Sequence, residues 1–338
     1  MTLAERVTRF LGRVGGGGAV LCYHSVTTSS LPGRSEVHVP LEELVATLEL
    51  LQRAWDIVSL QELLRRQRDH AATGGLVAVS FDDAYAALLA GAADVMRRQQ
   101  IPITVFVVTN AAQEGLQFWW DRVEDAFARV SPAGWGAFER AVGLPTAYRT
   151  GQPPEFGPLR PLRQWILAEY SGRWPAVLEG ALRDLEADAG VRSVQRSMTY
   201  EELDRLVHAC PLVEIGTHTA SHPVLPHLND EDVNCEVAGS FETLRARYAT
   251  AVPLLALPFG LFDRRTLGLA REAGMEASLI LGNTTIGHRA PETGVPRFVM
   301  TAGERGWRVT VKALGLRERF RGWRAPVPTY PALPSATT

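Results

Sequence analysis

Residues 76–83 read Leu76-Val77-Ala78-Val79-Ser80-Phe81-Asp82-Asp83 (LVAVSFDD), and this stretch decides the fold. A run that is apolar apart from one serine reads as a strand buried on both faces, since a half-exposed strand alternates apolar and polar residues. Two carboxylates follow at once, and AYAALLAGA then continues with a helical pattern. A buried strand, an acidic strand end and a helix make the repeating unit of a parallel α/β fold, whose reacting groups sit at the carboxyl ends of the strands.

The same rhythm extends in both directions. Before it come a strand at 19–23 (AVLCY), a helix marked by Leu41, Leu44, Val45, Leu48 and Leu51, a strand at 56–59 and a helix from Leu60. After it come a helix at 84–99 and a strand at 102–108, then helices at 199–209, 229–247 and 263–274 alternating with strands at 212–216, 252–257 and 276–281. Seven or so such strands favour a closed or nearly closed barrel over an open sheet. The rhythm breaks at about 111–197, where FWWDRVEDAF, SPAGWG and GQPPEFGP precede further helical patterns. Ordinary βα and αβ connections take only about 2–6 residues, so this stretch reads as a mostly helical insertion.

With 338 residues the chain exceeds the roughly 250–300 at which one hydrophobic core usually stops growing. Lys and Arg total 35 against 37 Asp and Glu, a net charge of −2 with no basic excess for nucleic acid. Cys22, Cys210 and Cys235 form no CxxC pair and read as small core residues. No run approaches the ~18 apolar residues of a membrane span, and Arg6, Arg9 and Arg13 interrupt the first 18 residues, which lack the apolar stretch of a secretory signal. The expectation is a location in the cytoplasm or peripheral to the inner face of the membrane. Residues 304–324 carry seven basic residues against Glu304 and Glu318, with Trp307, Phe320 and Trp323 interleaved. That pattern suits peripheral membrane contact or an acidic partner, or a terminal helix packed across the barrel; residues 325–338 read as a disordered tail.

Three segments carry chemistry. Asp82 and Asp83 end one strand; adjacent carboxylates repel and favour a cation, although either could instead cap the following helix. EIGTHTASH ends another strand and sets His218 and His222 four residues apart, within reach of one ion in a helical turn or a tight loop. Tyr23-His24-Ser25 ends a third, which puts His24 on the same rim as a candidate general acid. His38, His70, His208, His227 and His288 read as solvated.

Together these segments resemble the polysaccharide deacetylase superfamily, the NodB-homology or carbohydrate esterase family 4 domain. SFDDAY resembles its first motif, His218-Thr219-Ala220-Ser221-His222 its second, and ALPFG, through Pro258, Phe259 and Gly260, its third. YHSV and the VPRF of 295–298 resemble the variant branch that includes poly-N-acetylglucosamine deacetylases. The resemblance, carried by about 19–110 and 198–300, implies an α/β, distorted (β/α) barrel over 19–300 interrupted by the insertion; the residues themselves add an N-terminal segment at 1–18 and a basic helix at 301–324. It implies hydrolysis of the amide of an N-acetylated or N-acylated amino sugar. Asp83, His218 and His222 would bind a divalent metal, zinc or else cobalt or nickel. Asp82 would be the general base, His24 the general acid, and a backbone N–H near Phe259 the oxyanion donor. Tyr85 belongs to the first motif and counts among the candidate substrate contacts.

Two departures stand out. The third motif's arginine, which orients the base, is Ala256 here, leaving Arg297 as the candidate replacement; the insertion would cap the mouth, where Phe118, Trp119 and Trp120 offer either a platform for a sugar ring or the cap's own core. A silent carbohydrate-binding homologue, a deacylase of a small N-acyl metabolite and a non-haem iron oxygenase are the alternatives.

Overall fold

The computed structural model describes residues 17–27, 37–146, 159–190, 195–282, 284–286 and 294–315. Its strands are β1 (Ala19–Tyr23), β2 (Ser25–Thr27), β3 (His38–Pro40), β4 (Asp56–Ile57), β5 (Leu76–Phe81), β6 (Ile103–Val107), β7 (Val213–Thr217), β8 (Ala251–Ala256), β9 (Ala277–Leu281) and β10 (Val295–Val299). Seven of them pair in parallel around a ring, in the order β1, β5, β6, β7, β8, β9, β10, with β10 closing on β1. The expected (β/α) barrel is therefore present and closed. β4 pairs with the first residues of β5, and β2 and β3 make a small parallel pair beyond β1.

Strand alternation assigns each side chain to one of two cores. Leu21, Val79, Phe81 and Val105 face outward and are covered by Leu44, Leu48 and Leu51 of the helix Leu41–Ala54 and by Met96. Val20, Ala78, Phe106, Leu254 and Leu279 belong to the second cluster, which fills the barrel. Each fully buried aliphatic side chain contributes roughly 1.5–3 kcal/mol. Burial on both faces explains why these strands carry few polar residues. Phe106 takes the centre because β7 offers Gly216 beside it: a Cβ there would lie 2.5 Å from Phe106 Cε1.

Element ends differ from expectation for local reasons. The strand expected at 56–59 ends at Ile57 because the Ser59 side chain accepts the Glu62 N–H at 3.2 Å and starts the helix Leu60–Arg68. The helix expected from residue 84 begins later because Asp83 and Ala84 both take positive φ, 64° and 48°. It then passes through a π-helical turn, Leu88–Ala92.

Between β6 and β7 the chain runs through the helices Thr109–Glu114, Trp119–Phe127, Pro132–Ala141, Leu159–Tyr170 and Glu179–Asp188. Val123, Trp135, Phe138, Ile166, Leu182 and Leu185 give this stretch a hydrophobic core of its own. Arg122 forks onto Glu179 and Glu186 and ties two of its helices together. The turn-rich GQPPEFGP lies outside the described residues.

The C-terminal basic helix is described only in part, as Trp307–Ala313. Val309 and Ala313 join the outer core, Arg305 pairs with Glu43, and Lys312 bonds Glu304 and the Val299 carbonyl. Two of the basic residues read as a membrane or partner face are thus engaged inside the protein, although Trp307 stays 71% exposed. Residues 316–338, with the rest of that helix and the tail, lie outside the described residues. Among the described residues no helix is long and apolar enough to cross a membrane. The cysteine expectation fails for Cys235, which is exposed, while Cys22 and Cys210 are buried.

Candidate active site

The barrel brings three separate strand ends to one rim. Asp82 and Asp83 follow β5, His218 and His222 follow β7, and His24 follows β1. The turn Pro258–Gly260 follows β8, and Arg297 reaches in from β10.

Asp83 Oδ1 lies 3.6 Å from His218 Nε2 and 3.6 Å from His222 Nε2, and the two nitrogens are 3.2 Å apart. Donors held about 2.0–2.1 Å from a tetrahedral ion lie roughly 3.3–3.4 Å from one another, so this triangle has the right size. His218 Nδ1 meets the Ala256 carbonyl at 2.8 Å. A carbonyl only accepts, so Nδ1 carries the proton and Nε2 presents a lone pair to the triangle. Asp83 Oδ1 is buried without a hydrogen-bond partner. Burial and the neighbouring Asp82 and Asp121 charges push the Asp83 carboxyl well above the usual range. Burial likewise lowers His218, and lowers His222 further with help from His218. A buried orphan oxygen facing two imidazole nitrogens is an arrangement that a cation among them would satisfy. These three residues form a group able to hold a metal ion.

Asp82 has a different environment. Arg297, fully buried, donates from Nη1 to Oδ1 at 2.6 Å and from Nη2 to Oδ2 at 2.8 Å, while its guanidinium stacks 5.3 Å from the Phe106 ring centroid. Burial alone would raise Asp82; the guanidinium, with His218 adding to it, reverses this and holds the carboxylate well below its usual range. The arginine absent at Ala256 thus has a counterpart 215 residues from Asp82. Cys22 Sγ, read only as core filling, donates to Asp82 Oδ2 at 3.4 Å. His24 Nδ1 is buried without a partner, and a His24 nitrogen and an Asp82 oxygen lie within 4.8 Å of each other. Burial lowers His24 to about 4 against the raising influence of Asp82, so its resting form at neutral pH is the uncharged imidazole.

The insertion supplies the opposite wall. Trp120 lies 5.0 Å from the His222 ring and stacks on Phe118 at 4.6 Å; Phe259 packs edge-on against His222 at 4.5 Å. Trp119 belongs to the insertion's own core and also borders the pocket, so the two readings of FWW divide among its residues. Gly172 lets the insertion approach: its φ is +80° and a Cβ would sit 2.4 Å from Phe259 Cε2. Tyr85 lines the pocket, but its hydroxyl donates to Asp121 at 2.6 Å and accepts from Trp120 Nε1 at 3.0 Å. His38 corrects the expectation of a solvated ring. It is buried and meets Asp121 Oδ1 at 2.9 Å. Neither residue belongs to a recognisable motif, and their pairing across 83 residues left no signal in the sequence. Of the other histidines, His70 and His208 are exposed, His227 is half-buried and does not line the pocket, and His288 lies outside the described residues.

Residues 186–278 match the sequence profile of the family described as polysaccharide deacetylase. Over those residues the chain is similar to that family. The match spans His218, His222 and the Pro258–Gly260 turn, and the structure adds Asp82 and Asp83 from outside it. A polysaccharide deacetylase is a hydrolase acting on amide bonds, and the match supports that enzyme class here. No curated protein sequence matches the chain. The fold is similar to the deacetylase PplD of Streptococcus pyogenes, solved in complex with acetate (TM-score 0.57, 12% identity, 88% of this chain and 98% of that one). It is also similar to IcaB of Ammonifex degensii (0.55, 18%, 88% and 97%) and to the BpsB deacetylase domain of Bordetella bronchiseptica (0.50, 16%, 85% and 97%).

Proposed function

We propose that this protein is a metal-dependent deacetylase of N-acetylated amino sugars in a polysaccharide or glycoconjugate, related to the branch that includes poly-N-acetylglucosamine deacetylases. The observation that carries the reading is the triangle of Asp83, His218 and His222 beside a carboxylate, Asp82, that is held ionised by Arg297. A divalent ion on those three donors, for which zinc, cobalt and nickel are the candidates, supplies Lewis-acid polarisation of the amide carbonyl and acidifies water.

The chain's own groups then divide the proton work. Asp82, fixed by the two-pronged Arg297 contact, receives the proton of the attacking water. His24, uncharged at rest and with a nitrogen within 4.8 Å of an Asp82 oxygen, is placed to take that proton on and deliver it to the departing amine. The carbonyl carbon gains a bond to the water oxygen and loses its bond to nitrogen, giving acetate and the free amine. In the third-motif turn Pro258 has no N–H, and those of Gly260 and Leu261 donate to the carbonyls of Leu257 and Pro258. That leaves the Phe259 N–H, on a residue with φ +57°, as the oxyanion donor. Trp120 and Phe259 provide apolar faces for the sugar ring and acetyl methyl, and Tyr85 and Asp121 hold Trp120 in place.

Acetate release from N-acetylglucosamine oligomers tests the proposal, with Asp82→Asn as the control. The expected result is turnover by the wild type and loss of kcat by at least about 10² in the variant, the usual contribution of a positioned base. Equal turnover by both would contradict it, and glycan binding without any turnover would favour the silent homologue.

A further inference from the structure

The turn that carries the two histidines is held in a strained shape by a residue outside all three motifs. Thr219 and His222 have φ of 69° and 57°, and each such non-glycine residue costs about 1–3 kcal/mol unless its surroundings fix it. Two local bonds help: the Thr219 N–H donates to Thr217 Oγ1 at 3.1 Å, and the His222 N–H to Thr219 Oγ1 at 3.0 Å. Main-chain bonds from the Thr109 and Asn110 N–H groups to the Thr219 and Ala220 carbonyls and from the Ala220 N–H to the Glu236 carbonyl add to these, and the Glu236 side chain gathers further donors of the turn. A one-turn π-helix, Cys235–Gly239, interrupts the run between the helices Asp230–Asn234 and Ser240–Arg247 and carries Glu236 against the turn. Its Oε2 accepts the Ala220 N–H at 2.9 Å and the Ser221 N–H at 2.8 Å; its Oε1 accepts the Ser221 hydroxyl at 2.5 Å and Arg173 Nη2 at 2.7 Å. Four donors on one side chain require an acceptor at both oxygens, which an ionised carboxylate offers and an amide does not. Arg173, whose Nε also donates to Ser221 Oγ at 3.0 Å, comes from the insertion.

We infer that Glu236 is a positioning residue for metal binding, holding the turn between His218 and His222 in the shape that points both rings at Asp83, and that Arg173 makes this hold depend on the seating of the insertion. The inference rests on the metal reading proposed above. Neither residue touches the donor triangle, so the effect is on affinity rather than on a chemical step.

Titration of metal-free protein with Co2+, followed by the visible absorption of the bound ion, reads the affinity directly. Glu236→Gln should weaken Co2+ binding about 10- to 100-fold, the range typical of lost outer hydrogen bonds at a metal site. Arg173→Met should weaken it by the same route, by more than twofold but less than Glu236→Gln does. Arg122→Met breaks a comparable pair wholly inside the insertion; it should lower the melting temperature and leave Co2+ affinity unchanged. If Glu236→Gln does not fold, Ser221→Ala removes one of the same contacts and should shift the affinity in the same direction. Wild-type affinity, within twofold, in every folded one of Glu236→Gln, Arg173→Met and Ser221→Ala overturns the inference. A wild-type protein that binds no Co2+ overturns the metal reading itself and the role of Glu236 with it.

Discussion

At the residue scale, the pairing of Asp82 with Arg297 is the most consequential contact in the molecule. Removing one partner of a buried pair leaves the other charge uncompensated, at a cost of roughly 3–5 kcal/mol. Arg297→Met should therefore lower stability by that amount in denaturant unfolding and lower kcat as well. Arg297→Lys should recover little, because an ammonium cannot fork onto both carboxylate oxygens. His24→Ala should lower kcat by about 10²–10⁴ while Co2+ affinity stays the same, a split that separates a proton donor from a metal ligand. Asp82, Asp83, His218 and His222 were legible in the sequence because each sits within a short motif at a strand end. Arg297 was legible only as a candidate, since its contact with Asp82 exists only once the barrel has closed. His38 and Asp121 were illegible: nothing local distinguishes them, and their meeting depends on where the insertion rests.

At the element scale, the helix Tyr200–Ala209 shows how local chemistry fixes an element that leads into β7. The Thr199 side chain accepts the Glu202 N–H and the Glu202 side chain accepts the Thr199 N–H, a reciprocal cap. Arg196 forks onto the same Glu202 carboxylate and, with the cap, holds it down at about 2. A carboxyl whose folded value lies below its unfolded value contributes stability above the unfolded value and loses it as pH falls through the folded one. Glu202 should therefore stabilise the protein above pH ~4.5 and cease to do so as pH falls toward 2. The melting temperatures of the wild type and Glu202→Gln should differ at pH 6 and converge on acidification; a difference that is constant with pH would contradict this. The strand and helix pattern was legible because burial on both faces writes continuous apolar runs. The two π-helical turns, Leu88–Ala92 and Cys235–Gly239, were not, since one extra residue per turn barely disturbs the helical period.

At the scale of the whole molecule, the site exists because the barrel closes and the insertion covers its mouth. Two halves of the sequence separated by the insertion contribute to one triangle, so β5 and β7 must keep their neighbours in the ring for Asp83 to meet His218 and His222. The break in rhythm made the insertion visible in the sequence. Its seating was not, because that depends on contacts such as Gly172 against Phe259 and Arg173 against Glu236, which join residues tens of positions apart. A bound ion stabilises the folded state in proportion to the logarithm of its excess over Kd. Chelation should lower the melting temperature, and Zn2+ or Co2+ should restore it. The most direct test of the central claim is acetate released from N-acetylglucosamine oligomers before chelation, after chelation and after Zn2+ is returned. Turnover that disappears with the metal and comes back with it is the predicted result; turnover that survives full metal removal would contradict it.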